Sequence, residues 1–381
     1  MPRLLRSRGL ALALFASATA FSLALNARRR QADRALAARL RRADQGMPEL
    51  AATARVSVLV AAWNEARGLE RHLASVRRLP YPDLQYILVA GGTDGTLECA
   101  QRLAWPGCTL LEQAPGEGKQ RALRRALAHA AGDVIMLTDA DCVLDARSFA
   151  RLLAPIVSGQ EEVVTGDSLP LREQRFMGGV VAFRWAADEY AFAHMPEHVG
   201  GILGGNCALT REALRQAGDL QEDVASGTDY HLAKSLRAAG IAIRHEPGAV
   251  VETAYPTSMR LYVRKQRRWL RNMVLHGLRF GATREAATSL LTSSIGVGML
   301  LAPLAALAFG PGVLALWAAA VVHSATAKVR YLAFTADRFA PNGPRLSMRS
   351  ALEALQMTFV EFYAWAQPLL DYALPSRRSA W

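Results

Sequence analysis

Between Arg55 and about Glu252 the chain alternates short apolar runs with longer amphipathic ones, and this alternation restricts the fold more than any other feature. VSVLVAAW, QYILVAGG, CTLLEQ and DVIMLTDAD have the length and composition of strands. LERHLASVRRL, TLECAQRLA and KQRALRRALAHAA carry apolar residues at helical spacing between them. Strands and helices in alternation imply right-handed βαβ units, so the expected fold class is α/β with a mainly parallel sheet flanked by helices. Ligands of such sheets bind beyond the carboxyl ends of the strands. The polar residues just past each strand are therefore the candidates for chemistry.

The flanking sequence is of another kind. Gly9 to Leu25 is an apolar run near the lower length limit for a spanning helix. A cleavable signal peptide has a similar look, but the block ARRRQADRALAARLRR that follows resists translocation, which favours an anchor with the next domain in the cytoplasm. After Thr253 the basic, aromatic segment YPTSMRLYVRKQRRWLRNMVLHGLRF reads as helices at a membrane interface. Ala286 to Phe309 and Gly312 to Ala327, parted by Gly310-Pro311-Gly312, read as a transmembrane hairpin. Ala351 to Leu374 carries Glu353, Glu361 and Asp371, which are costly in hydrocarbon; a span with buried carboxylates is preferred to an interfacial helix. The expected organisation is an anchor and basic linker over 1–54, a catalytic domain over 55–252, interface helices over 253–285 and a transmembrane region over 286–381. The expected location is the inner cell membrane, crossed several times, with the catalytic domain on the cytoplasmic side.

The formal net charge of +12 admits nucleic acid, an anionic membrane or phosphate-bearing ligands as partners. Arg28, Arg29 and Arg30, and Arg264, Arg267, Arg268 and Arg271, crowd the flanks of apolar stretches, which favours membrane and argues against nucleic acid. Cys99, Cys108, Cys142 and Cys207 show neither Cys-x-x-Cys spacing nor paired histidines, so neither a zinc site nor a disulfide framework is expected.

Asp139-Ala140-Asp141 closes the strand DVIMLT, so both carboxylates emerge on the ligand side of a parallel sheet. A short Asp-x-Asp turn can aim hard oxygen ligands at one divalent cation, Mg²⁺ or Mn²⁺, which would bridge them to a diphosphate. A solvated acidic turn is the plainer alternative.

VSVLVAAWNEARGLERHLASV, GTDGT, GEGKQRAL, GDVIMLTDADC, GGNCALTREAL, the Thr228-Asp229 pair and QRRWLRN occur in the order seen in family-2 glycosyltransferases, over roughly Arg55 to Asn272. The chain resembles their membrane-integrated branch, which includes cellulose, chitin and hyaluronan synthases and non-processive lipid glycosyltransferases. That resemblance implies a GT-A, Rossmann-like fold, a nucleotide-diphosphate sugar donor, a divalent metal and inversion at the anomeric carbon. It places Ala61 to Glu65 along the nucleotide pocket, with Glu65 as the polar contact, and Asp94 near the base and ribose. Lys119 falls where donor phosphates or sugar are met, Asp139 where sugar or ribose is met, and Asp141 at the metal. Asp229 matches the Asp of the family's Glu-Asp or Thr-Glu-Asp motif and is the expected general base, with a helix N-cap as the alternative and Glu222-Asp223 as the fallback. Gly204, Gly205 and Asn206 form a turn suited to approach the acceptor, or a plain left-handed turn. Arg268 and Trp269 resemble the end of the Gln-x-x-Arg-Trp motif, where arginine binds diphosphate and tryptophan stacks on sugar; an interfacial anchor is the alternative.

The pattern is broken at two places. Val89-Ala90-Gly91-Gly92 lacks the acid that usually ends the second strand and grips the base, and Lys265 stands where the Gln of Gln-x-x-Arg-Trp belongs. The second weakens a processive reading, so transfer from a nucleotide sugar, UDP-linked by preference, to a lipid or isoprenoid alcohol is placed ahead of polysaccharide synthesis. A homo-oligomer or partner subunit could supply a polymer channel. A nucleotidyltransferase also uses a parallel sheet, a glycine-rich loop, a lysine and acidic metal ligands, but the membrane segments and the Arg-Trp segment argue against it, and the retention of Lys119, Asp139, Asp141 and Asp229 together argues against a non-catalytic scaffold subunit.

Overall fold

The computed structural model describes residues 7–44, 46, 50, 54–342 and 347–373. In chain order the elements are α1 (Arg8–Ala43), β1 (Val56–Trp63), α2 (Ala66–Val76), β2 (Leu84–Gly91), α3 (Thr96–Leu103), β3 (Cys108–Glu112), α4 (Gly118–His129), β4 (Val134–Asp139), α5 (Ala146–Val157), β5 (Val163–Pro170), α6 (Gly179–Ala193), β6 (Asn206–Thr210), α7 (Arg211–Gln216), α8 (Thr228–Ala238), β7 (Arg244–Thr253), α9 (Met259–Arg279), α10 (Thr283–Phe309), α11 (Pro311–Phe339) and α12 (Met348–Ala373). They form two compact units. The sheet unit comprises Asp44–Gln174 and His194–Ala254, and the helical unit the remaining described residues.

In the sheet unit seven strands run in the order β3-β2-β1-β4-β6-β5-β7. All neighbours pair in parallel except β6, which is antiparallel to both β4 and β5. Successive residues of a strand face opposite sides. Val58, Val60, Tyr86 and Leu88 therefore pack on one face with Leu69, Leu73, Leu152 and Leu153 of α2 and α5. Leu59, Ile87, Val89, Ile135 and Leu137 pack on the other with Leu123, Leu127, Leu232 and Leu236 of α4 and α8. Burial on both faces explains why the strands read as near-continuous apolar runs. Each such leucine contributes about 1.5–3 kcal/mol.

The reversed strand matters for the site. Because β6 runs against β4, with Thr138 opposite Asn206, its entry segment lies at the carboxyl end of β4. A parallel strand would have placed that segment at the opposite edge.

In the helical unit α1 runs along α11, and α6, which lies inside the stretch 55–252, groups with these helices. The helices α1, α10 and α11 are long and apolar enough to cross a membrane. The apolar run expected over Gly312 to Ala327 is part of the longer α11, and Gly310 and Pro311 separate it from α10 as the tight break implies. The stretch expected over Ala351 to Leu374 is the helix α12, which is not among the three apolar ones; Leu374 lies outside the described residues. Its carboxylates are paired: Glu361 meets Lys328 at 2.5 Å, Asp371 meets Arg267 and Glu353 meets Arg349 at 2.9 Å. The seam between α1 and α11 is polar at intervals of a helical turn. Ser22 meets His323 at 2.8 Å, and Arg330 reaches both Asn26 and Asp33 at 3.0 Å.

Candidate active site at the carboxyl ends of the strands

Asp139 is the last residue of β4, and by alternation it faces the same side as Ile135 and Leu137, toward α4. Lys119 is the second residue of that helix and follows Pro115-Gly116-Glu117-Gly118, where Gly116 and Gly118 take φ of 77° and 74°, a turn that other residues adopt with strain. The ammonium of Lys119 donates to Asp139 Oδ1. Burial opposes its charge, but Asp139 and Asp229 outweigh this and hold the amine protonated well above its ordinary range.

Asp229 lies in the first turn of α8 and accepts from the Tyr230 amide at 2.8 Å. The N-cap is Gly227, at φ 73°, so capping is not the role of Asp229. Lys119, Leu137, Gly204, Thr228 and Asp229 line one recess, walled by Leu123, Leu220 and Leu232. Glu222 and Asp223 are engaged nearby: Asp223 takes a two-point contact from Arg121 at 2.6 and 2.9 Å, and Glu222 meets His231 at 2.8 Å.

The glycines before β6 are set by proximity. Neither has positive φ among the described residues, so the left-handed turn is not formed. A Cβ on Gly204 would lie 2.9 Å from Asp229 Cβ, and one on Gly205 would lie 3.2 Å from Asp139 Oδ2 and 3.0 Å from Cys142 Sγ. Thr138 Oγ1 donates to the Gly205 carbonyl at 2.9 Å. Asn206 is turned into the sheet, where its amide nitrogen donates to Asp167 O and Ala249 O at 2.9 and 2.8 Å. It braces β6 against β5 and β7.

Asp139, Asp141 and Cys142 offer ligand atoms within 4.8 Å of one another. Burial and the two carboxylates push the Cys142 thiol well above its ordinary range. The two aspartates offer hard oxygens, and two carboxylates with diphosphate oxygens suit Mg²⁺ or Mn²⁺. Thr253, the last residue of β7, donates to Asp141 Oδ2 at 3.0 Å and orients that carboxylate. Sequence reasoning missed it, although it ends the apolar strand GAVVET where ligand-side residues are to be sought.

The remaining expected residues lie elsewhere in the two units. Ala61 to Trp63 belong to β1 itself, and Glu65 directly precedes α2, its amide donating to Thr96 Oγ1 at 2.8 Å. Asp94 accepts from the amides of Ala66 and Thr96, both at 3.1 Å, and from the Thr96 hydroxyl. Thr96 above all holds this carboxyl below its ordinary range. Arg268 and Trp269 are exposed on α9 of the helical unit, whereas Gln266 is buried and Arg267 is tied to Asp371.

The model of the glycosyltransferase like family 2 matches residues 54–272, and the chain belongs to that family. The glycosyltransferase AglE of Haloferax volcanii is 24% identical over 49% of this chain and 63% of its own length. An N-acetylglucosaminyltransferase of Azorhizobium caulinodans is 26% identical over 58% of this chain and 60% of its own. The chain thus spans about three fifths of the length of these relatives. Among solved structures, the mannosyltransferase PcManGT from Pyrobaculum calidifontis, in complex with GDP-Man and Mn²⁺, superposes with a TM-score of 0.52. At 21% identity, over 95% of this chain and 98% of that one, the likeness is one of fold.

Proposed function

We propose that the protein transfers a sugar, with inversion, from a nucleotide-diphosphate donor to a membrane-associated acceptor such as a lipid or isoprenoid alcohol, at the cytoplasmic face of the cell membrane. The observation that carries this reading is the convergence of Lys119, Asp139, Asp141 and Asp229, from separate elements, at the carboxyl edge of the sheet. Family membership, and relatives named as glycosyltransferases, support it. The three apolar helices and the arginines at their flanks support the membrane placement.

A divalent cation held by Asp139 and Asp141 would neutralise charge on the diphosphate. Lys119, kept cationic by its two acidic neighbours, adds a fixed positive charge near the same phosphates. Asp229 takes the proton of the acceptor hydroxyl, and Gly204, having no side chain, leaves its carboxylate approachable. Gly205 lets the backbone of the β6 entry close on Asp139 and steady the acceptor side of the recess. The Glu65 amide, through Thr96, and the Asp94 carboxylate, through Ala66 and Thr96, hold the loops that border the nucleotide.

Nucleoside diphosphate release by the detergent-solubilised chain, across a panel of nucleotide sugars with and without Mn²⁺ and a lipid extract, tests the reading. Metal-dependent release that requires one donor and the lipid fraction is expected. Silence across the panel, together with no donor binding, would overturn it.

A further inference from the structure

One stripe of α2 follows the turn beyond β4 almost residue by residue. Gly68, His72 and Ser75 are buried and stand four and three residues apart, so they share one face of the helix. A Cβ on Gly68 would lie 3.2 Å from Asp141 Cα and 3.4 Å from Asp141 Cβ, so the helix backbone rests directly against that aspartate. His72 Nδ1 lies 2.6 Å from the Cys142 carbonyl oxygen. The Leu144 amide donates to Ser75 Oγ at 3.1 Å, and that hydroxyl donates to the His72 carbonyl at 2.7 Å. On its other side the same turn is clamped by β7. Val143 and Glu252 exchange two backbone hydrogen bonds, at 2.7 and 3.1 Å, and Thr253 donates to Asp141 Oδ2.

The proton on His72 is set by its two partners. A carbonyl oxygen only accepts, so Nδ1 carries the hydrogen and donates to Cys142 O, which leaves Nε2 to accept from the Tyr86 hydroxyl at 2.9 Å. Burial keeps the imidazole neutral, as this arrangement requires. Tyr86 is fixed in its turn, buried and stacked on Trp105 with ring centroids 5.2 Å apart and planes at 28°. An apolar side chain could fill the same space. His72 instead presents a single N–H, in one orientation, to the carbonyl of the residue that follows Asp141.

We infer that His72 is a positioning residue for the metal-binding aspartates: through the Cys142 carbonyl it holds the turn that aims Asp141, and Tyr86 fixes the ring that does so. The inference rests on the metal-assisted reading above and extends it to residues behind the carboxylates. Asp139 is held by its place in β4 and by Lys119. Asp141 lies past the last residue of that strand and is oriented from three directions instead, by Gly68, His72 and Thr253. Such partners behind the ligands matter to the metal, and removing one weakens its binding by about ten- to a hundredfold.

The test measures binding of UDP and GDP, each with and without Mn²⁺, to the full-length detergent-solubilised chain and to the variants His72→Leu, His72→Asn and Tyr86→Phe, with thermal unfolding read on the same samples. His72→Leu should weaken binding of the Mn²⁺-loaded nucleotide by about tenfold and leave metal-free binding as it was. Asparagine places an amide N–H near the position of Nδ1, so His72→Asn should restore most of that loss. Tyr86→Phe removes the donor to Nε2 and should reproduce a smaller part of it; where His72→Leu does not fold, this variant decides. A histidine that only packs would lower the unfolding temperature without separating the two affinities. Unchanged Mn²⁺-dependent binding in every folded variant, or equal losses with and without the metal, overturns the positioning role alone. A native chain that binds neither nucleotide, or binds both equally with and without Mn²⁺, overturns the metal-dependent transferase reading and this inference with it.

Discussion

The two units of this protein treat charge in opposite ways. At the strand ends of the sheet unit Lys119 and Asp139 are paired yet remain partly exposed, with side-chain exposures of 36% and 40%. In the helical unit Arg330 and Asp33 meet at 3.0 Å with exposures of 4% and 3%, and Arg338 and Glu189 are buried to the same degree. Charges at an open edge remain available to a ligand, whereas charges between apolar helices are consumed by each other. Buried pairs of the second kind are expensive to desolvate and give register more readily than net stability. Arg330 illustrates this, because it also lies 4.7 Å from the centre of the Tyr190 ring and so ties α1, α6 and α11 together.

Four substitutions or conditions would break or sharpen that contrast. The largest effect is expected for Asp229→Asn, which should lower transfer on the order of a thousandfold while leaving nucleoside diphosphate binding nearly intact. Parallel titration calorimetry and product assays check this, and loss of both properties would assign Asp229 to structure. Next comes Arg330→Met, which strands the Asp33 carboxylate and should cost about 3–5 kcal/mol of stability, with the double variant Asp33→Leu/Arg330→Met recovering most of it. Thermal unfolding in detergent reads both; equal losses in single and double variants would refute the pairing argument.

The third concerns a buried group in the sheet unit that is held neutral. His72 is fully buried, with its ring nitrogens 2.6 Å from Cys142 O and 2.9 Å from Tyr86 Oη, and burial lowers its pKa to about 4. Below pH 6.5 the unfolded chain binds a proton that the native chain refuses, so stability falls as the pH drops and the loss levels off below about pH 4. The loss amounts to about 3 kcal/mol, and His72→Gln should flatten that part of the stability profile measured by denaturant titration. An unchanged acid limb in the variant would dismiss the histidine as its source. The smallest effect is expected for Gly205→Ala, whose methyl group would press on Asp139 and Cys142. A few tenths of an ångström at Asp139 should reduce turnover by about tenfold without unfolding, as steady-state assays and circular dichroism together would show.

Much of this contrast is visible in the sequence, for reasons that differ by residue. VSVLVAAW, QYILVAGG, CTLLEQ and DVIMLTDAD form strands where expected, because a strand buried on both faces must be apolar throughout. Asp139 and Asp141 were identifiable because they follow such a run directly. The helices α1 and α10 were identifiable from length and hydropathy. The end of α11 was not, since Lys328, Arg330 and Arg338 look unsuited to an apolar helix until Glu361, Asp33 and Glu189 are found opposite them.

The sequence by itself determined the alternation of strands and helices, the acids at the end of β4 and the three apolar helices, because each follows from periodicity or composition within a few residues. Tertiary structure alone decided that β6 runs backwards, bringing Gly204 to Asp229 and Gly205 to Asp139, that Thr253 orients Asp141, and that α6 leaves the sheet unit for the helical one. It also decided that Gly91 is flanked so closely by Trp63 and Gln113 that no acid fits there. Such facts depend on which distant segments pack together, and that is settled by the burial of the whole chain rather than by any local pattern.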